Sequence, residues 1–133
     1  MLGWSDNIER ATVDNDTFRT VLQTGQSLQL TVMSLEPGEE IGVEVHPDLD
    51  QFIRVEQGEA EVHIGQARDD LSECHRLSDD WAVIIPGGTW HNVVNSGKST
   101  LKLYSIYAPP EHPDDAVHRT KADAEAAEAE HQG

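Results

Sequence analysis

Two histidines, His46 and His91, stand in separate short segments, each bracketed by glycine or proline and each alternating like a β-strand. The first segment reads Gly38-Glu-Glu-Ile-Gly-Val-Glu44-Val-His46-Pro-Asp-Leu-Asp-Gln51 and closes at Gly58, and the second reads Pro86-Gly-Gly88-Thr-Trp-His91-Asn-Val-Val-Asn95. Side chains two apart share one face of a strand, so Glu44 and His46 project together while Val43 and Val45 turn away. Pro47, Asp48 and Asp50 then turn the chain, and Gln51 opens an antiparallel neighbour beside that pair. His91 needs only strand pairing to come within reach. Glu44, His46 and His91 would form a two-histidine, one-carboxylate set for one divalent metal ion per subunit (Zn, Fe, Mn or Ni), with the Gln51 amide oxygen as a fourth ligand. Such a centre belongs in a small β-barrel.

These two segments resemble the motifs of the cupin superfamily, G-x5-H-x-H-x(3,4)-E-x6-G and G-x5-P-x-G-x2-H-x3-N. The first fits from Gly38 through position 44, His46 and position 51 to Gly58, and the second from position 80 through Pro86, Gly88 and His91 to Asn95. Three residues depart from the pattern: Glu44 replaces the first histidine, Gln51 the glutamate, and Asp80 the opening glycine of the second motif. The resemblance implies an all-β fold, an antiparallel double-stranded β-helix or jelly-roll, and a small single-domain cupin. The Gln, His, Glu and His ligand types are similar to those of the mannose-6-phosphate isomerase-like branch, though in a different order.

The elements that must position these residues follow from punctuation and period. Residues 1–16, with Trp4, read as an irregular or short helical lead-in, 17–110 as the barrel, and 111–133 as an extension. Strands are expected over Thr17 to Leu22, Ser27 to Leu35, Phe52 to Val55, Glu59 to Ile64, Ser72 to Leu77, Trp81 to Ile85, Trp90 to Val94 and Leu101 to Tyr107. The Glu44 and His46 segment is expected to be a strand as well. Beyond Pro109, Pro110 and Pro113, Thr120 to Glu130 is rich in Ala and Glu and should form a short C-terminal helix, fraying into solvent for want of an apolar stripe. His63, His75, His112, His118 and His131 read as satisfied or solvated side chains. Gly58, Pro86 and Gly88 shape turns without touching the site.

Charge and composition narrow the partners. Twenty-five acidic against nine basic residues leave a net charge of -16, which disfavours nucleic acid and anionic membranes. The acids are spread along the whole chain, a pattern suited to a high-salt interior. No segment reads as a membrane span or a signal peptide, and the lone Cys74 cannot form an internal disulfide. A cytoplasmic protein is expected, with Cys74 an ordinary strand thiol. Its partners are expected to be a small-molecule substrate and a second copy of itself. The homodimer would form through the amino-terminal segment carrying Phe18, Val21 and Leu22.

Three functions suit such a centre. Isomerisation of a hydroxy-aldehyde or ketose leads, and an iron-dependent dioxygenase follows from the facial triad. A non-enzymatic binding module is the third. For a substrate phosphate the available cations are Arg54, Lys102, Arg119 and Lys121. Tyr104, Tyr107 and Glu56 occupy strand positions from which a general base could act, and no catalytic residue beyond the metal set is singled out.

Overall fold

The computed structural model describes residues 2–132. Helix α1 (Ile8–Val13) leads into nine strands and a final helix: β1 (Arg19–Thr24), β2 (Gln29–Leu35), β3 (Asp50–Gln57), β4 (Ala60–Gly65), β5 (Glu73–Leu77), β6 (Ala82–Ile85), β7 (Trp90–Asn95), β8 (Leu101–Ala108), β9 (Val117–His118) and α2 (Lys121–Gln132). A six-stranded sheet runs β6-β3-β8-β2-β1-β9, and a three-stranded sheet runs β5-β4-β7. Every named pairing is antiparallel. The two sheets enclose one main apolar core, in which Met33, Leu35, Ile53, Val55, Leu101 and Leu103 of the larger sheet meet Val62, Leu77 and Val93 of the smaller.

Strand β4 alternates as its sequence requires, with Ala60, Val62 and Ile64 buried between half-exposed neighbours. Strand β2 is buried at every position, because both of its faces are covered. Met33 and Leu35 look into the barrel, while Leu30 and Val32 join an outer cluster with Tyr104, against which Ile8 of α1 packs. The Asn7 side chain starts α1 by accepting from the Arg10 amide at 2.9 Å, an N-cap of the usual kind.

The inner face of the larger sheet changes character from end to end. The register sets Leu35 opposite Leu101 and Met33 opposite Leu103, then Thr31 opposite Ser105 and Gln29 opposite Tyr107. On the other side of β8, Val55 faces Leu103 and Gln51 faces Tyr107. One end of the interior is therefore aliphatic, and the other carries amides, hydroxyls and a phenol.

Three expectations need correction. The Glu44 and His46 segment is not a regular strand: it touches β7 through isolated bridges, Glu40 with Val94 and Glu44 with His91. The register slips by one residue between them, where Gly42 has φ +106, a left-handed value that favours glycine. Helix α2 does not simply fray, since Ala124 is 4% exposed and belongs to the main core. Its first turn is closed by reciprocal bonds, Thr120 Oγ1 accepting from the Asp123 amide at 3.1 Å and Asp123 Oδ2 from the Thr120 amide at 3.3 Å. The amino-terminal strand is not an open edge: β9 pairs with β1 at Arg19 and Thr20, and Phe18 and Val21 are buried in their own subunit.

Candidate metal centre

Backbone bonds seat the first motif on the second. Glu44 and His91 exchange bonds through their amides and carbonyls at 2.9 and 3.0 Å, the Ile41 amide donates to Val93 O at 2.9 Å, and the Gly88 amide donates to His46 O at 2.9 Å. The Asn92 side chain accepts from the Gly42 amide at 2.9 Å, holding the bulge in place. The positive φ of Gly88, +80, turns the chain into β7.

The expected ligands meet. Glu44 Oε1 lies 3.2 Å from His46 Nε2 and 3.4 Å from His91 Nε2, and one atom from each of the three side chains falls within 4.8 Å of the other two. Ligands about 2.1 Å from a shared ion stand roughly 3.0 to 3.4 Å apart at right-angled to tetrahedral geometry, so the spacing suits a metal. Both Nε2 atoms are buried and lack a hydrogen-bond partner. The Nδ1 of His91 donates to Thr89 O at 3.0 Å, which leaves its Nε2 lone pair for an ion. Backbone anchoring of this kind is usual for ligating imidazoles.

Gln51 sits on β3 at the same end. Its Nε2 donates to Ser105 Oγ at 2.9 Å, and its Oε1 is buried with no partner. That oxygen suits a role in or beside a ligand set.

Electrostatics match. Burial alone would raise the Glu44 pKa, but the neighbouring imidazoles of His46 and His91 outweigh it and hold the carboxyl well below the usual range. His46 shifts upward: burial opposes its charge, yet Glu44, with a smaller contribution from Glu111, prevails. A divalent ion would compete with a proton for the His46 nitrogen beside Glu44.

Around the centre the structure adds residues that sequence reasoning passed over. Gln29, fully buried, clamps the 111–112 backbone: its Nε2 donates to His112 O at 2.7 Å, and its Oε1 accepts from the amides of Glu111 and His112 at 3.2 and 2.9 Å. This brings Glu111 Oε2 to 3.8 Å from His46 Nδ1. Tyr107 stands edge-on to His46 at 5.8 Å and to His112 at 5.1 Å.

Two of the histidines expected to be satisfied or solvated are neither. His112 Nε2 and His118 Nδ1 are buried and without partners, whereas His63 and His75 lie near Glu61 and Glu73 at 3.7 and 2.7 Å. The side chain of His131 lies outside the described residues. Cys74 is exposed on β5.

Of the three positions from which a base could act, Tyr107 alone faces the site. Tyr104 packs in the outer cluster, and Glu56 lies 3.4 Å from Arg54. Three of the four cations expected to meet a phosphate are engaged elsewhere: Arg54 also pairs with Asp80 at 3.0 Å, Lys121 lies 3.9 Å from Glu125, and Lys102 donates to Asn15 O; the fourth, Arg119, is exposed. Among the described residues the buried cation is Arg19, 2% exposed, whose in-phase position with Val21 on β1 was the available signal.

Residues 31–107 match the family described as Cupin domain, and the chain belongs to that family. It is 54% identical to BH2720 of Bacillus halodurans, whose crystal structure aligns with a TM-score of 0.91 over 92% of this chain and 93% of that one. A Klebsiella pneumoniae protein described as having a double-stranded β-helix domain is 27% identical, with a TM-score of 0.63 over 79% of this chain and 86% of that one. Among curated proteins, the uncharacterized YrkC of Bacillus subtilis is 57% identical over 122 residues, 92% of this chain and 66% of YrkC. The chain thus spans 66% of the length of the curated relatives it matches. No helix is long and apolar enough to cross a membrane among the described residues.

Proposed function

We propose that this cupin is a metal-dependent enzyme acting on a small, oxygen-rich, sugar-like substrate, with isomerisation as its chemistry. The observation that carries the reading is the polar end of the barrel. Beside the three ligands, the Gln51, Thr31, His112, His118 and Arg19 side chains each present a buried polar atom without a partner. Unsatisfied buried groups are costly, and a substrate rich in hydroxyl and carbonyl oxygens would satisfy them. The likeness in ligand type to the mannose-6-phosphate isomerase-like branch supports the same reading.

Glu44, His46 and His91 would hold a divalent ion, with Gln51 Oε1 as a further oxygen ligand, and the ion would supply Lewis-acid polarisation of a carbonyl or hydroxyl. The chain's own groups do the rest. Burial pushes the Tyr107 phenol up to about 12, so it stays protonated and donates to a substrate oxygen. Glu111, beside His46, takes the proton from the hydroxyl-bearing carbon and returns it to the neighbouring carbonyl carbon, while the hydroxyl proton passes to the former carbonyl oxygen, so that the two oxygens exchange roles. No electrons are gained or lost.

A second reading has its own support: two histidines and one carboxylate are the ligand types of iron dioxygenases. The experiment is an assay of metal-loaded protein against hydroxy-aldehydes, ketoses and phenolic diols, with and without oxygen. Turnover without oxygen supports the isomerase, and turnover that requires oxygen replaces it with the dioxygenase. If nothing is consumed while ligands still raise Tm, the protein is a binding module.

A further inference from the structure

Arg19 is 2% exposed, and its Nε and Nη1 have no hydrogen-bond partner. Among the described residues no ion pair includes it. A buried guanidinium with unpaired nitrogens is strongly unfavourable, and Glu128 acts on it only from beyond ion-pair distance, so its retention calls for a closer anion. On β1 it stands between Met33 of β2 and His118 of β9.

The imidazoles next to it do not supply that anion. Burial, reinforced by the Arg19 charge, lowers the His112 pKa to about 3 and pushes His118 down as well. Both rings are thus neutral, 6.4 Å apart, each with a buried, unpartnered nitrogen. They line a cavity of about 90 Å³ together with Glu111, Pro113 and, from α2, Ala127 and Glu128; Arg19 stands behind the two rings, next to His118 across the β1–β9 pair. From His112 the row of rings continues through Tyr107 to His46, with centroids 5.1 and 5.8 Å apart, so this end of the barrel is packed against the metal centre.

We propose that Arg19, His112 and His118 form a subsite for the carboxylate of a small hydroxy- or oxo-acid, whose oxygen-bearing far end reaches Glu44, His46 and His91. The guanidinium supplies the charge and the neutral imidazoles supply hydrogen bonds. One unpaired cation matches a monoanion, while a dianionic phosphate would leave excess negative charge in a chain of net charge -16. The inference rests on the reading of this end of the barrel as a substrate cavity, and it narrows the substrate from oxygen-rich to anionic.

The test is calorimetric titration of the full chain in chloride-poor buffer, manganese-loaded and metal-stripped. The probes are glycolate, glycerate and pyruvate, each set against ethylene glycol, glycerol and hydroxyacetone. At least one acid is expected to bind at least tenfold more tightly than its neutral counterpart. Arg19→Gln should weaken that acid by about tenfold to a hundredfold, as for a lost charge-assisted bond. Arg19→Lys should retain part of the affinity, and His118→Ala should reduce it. Manganese stoichiometry should not change in any of them.

Without ligand, Arg19→Gln should melt at or above the wild-type temperature, because it removes an uncompensated charge; a large fall would make Arg19 structural and overturn the proposal. So would equal affinity for acids and neutral analogues, or inorganic phosphate binding more tightly than every acid. Arg19-dependent acid binding by a protein that takes up no manganese would leave the subsite standing and remove the metal reading. Normal manganese binding with no acid preference would do the reverse.

Discussion

Glu44 holds the centre together, because its single Oε1 lies near both imidazoles. Replacing His46 or His91 by Ala removes one of the two nitrogen ligands and should abolish metal uptake. His63→Ala, on a side chain near Glu61 rather than in the centre, should leave uptake intact. Metal analysis of the purified proteins checks this, and full occupancy in His91→Ala would sink the ligand assignment.

The dependence on pH follows with a definite sign. A ligating imidazole must be unprotonated, and the His46 pKa is raised from its ordinary 6.5, against the burial that opposes the charge, by its neighbour Glu44. Protons therefore compete with the metal at a higher pH than they would for a free histidine. Metal affinity should be greatest well above pH 6.5 and should already be falling as pH drops toward that value. A titration showing constant affinity between pH 8 and pH 6 would contradict the assignment of His46 as a ligand.

Among the elements, the turn between β3 and β4 depends on Gly58. Its φ is +103, and a Cβ there would come within 3.1 Å of Leu101 Cα and Thr100 O. Both are backbone atoms and cannot swing aside. Gly58→Ala should cost about 2 kcal/mol or more, several degrees in Tm for a domain of this size, with metal stoichiometry unchanged. An unaltered Tm would mean that the turn adjusts freely. Asp80 shows the other side of this economy: it stands where the cupin motif has glycine and adopts φ +73, a conformation that aspartate tolerates better than most residues.

For the whole molecule, the net charge of -16 and the sheet edges set the behaviour. With β1 covered by β9, the apolar outer strand of the larger sheet is β6, where Ile84 is 66% exposed and neighbouring Trp81 59%. We expect a homodimer, with this edge rather than the amino-terminal segment in the contact. Repulsion between like-charged subunits is screened at high salt, so light scattering at micromolar concentration in high salt is the appropriate measurement. A monomer there counts against assembly. A dimer unaffected by Ile84→Lys places the contact elsewhere.

The division between sequence and tertiary structure follows the range of the interactions involved. Strand period, turn residues and motif spacing are local, and they were enough for the barrel strands, the meeting of Glu44, His46 and His91, and the inward position of Gln51. The irregular path of the ligand segment was not legible, because the bulge at Gly42 is set by bonds to the distant Asn92 side chain and Val93 carbonyl. Nor were the roles of Arg19, His112 and His118. Alternation states which face a residue occupies, not what lies across from it, so an arginine in phase with a core strand looks like any exposed cation. Only the closure of β9 on β1, the Gln29 clamp on residues 111–112 and the docking of Ala124 bury that charge beside two neutral imidazoles. Those contacts join segments far apart in the chain, and burial, which decides the charge state of each group, exists only once they have formed.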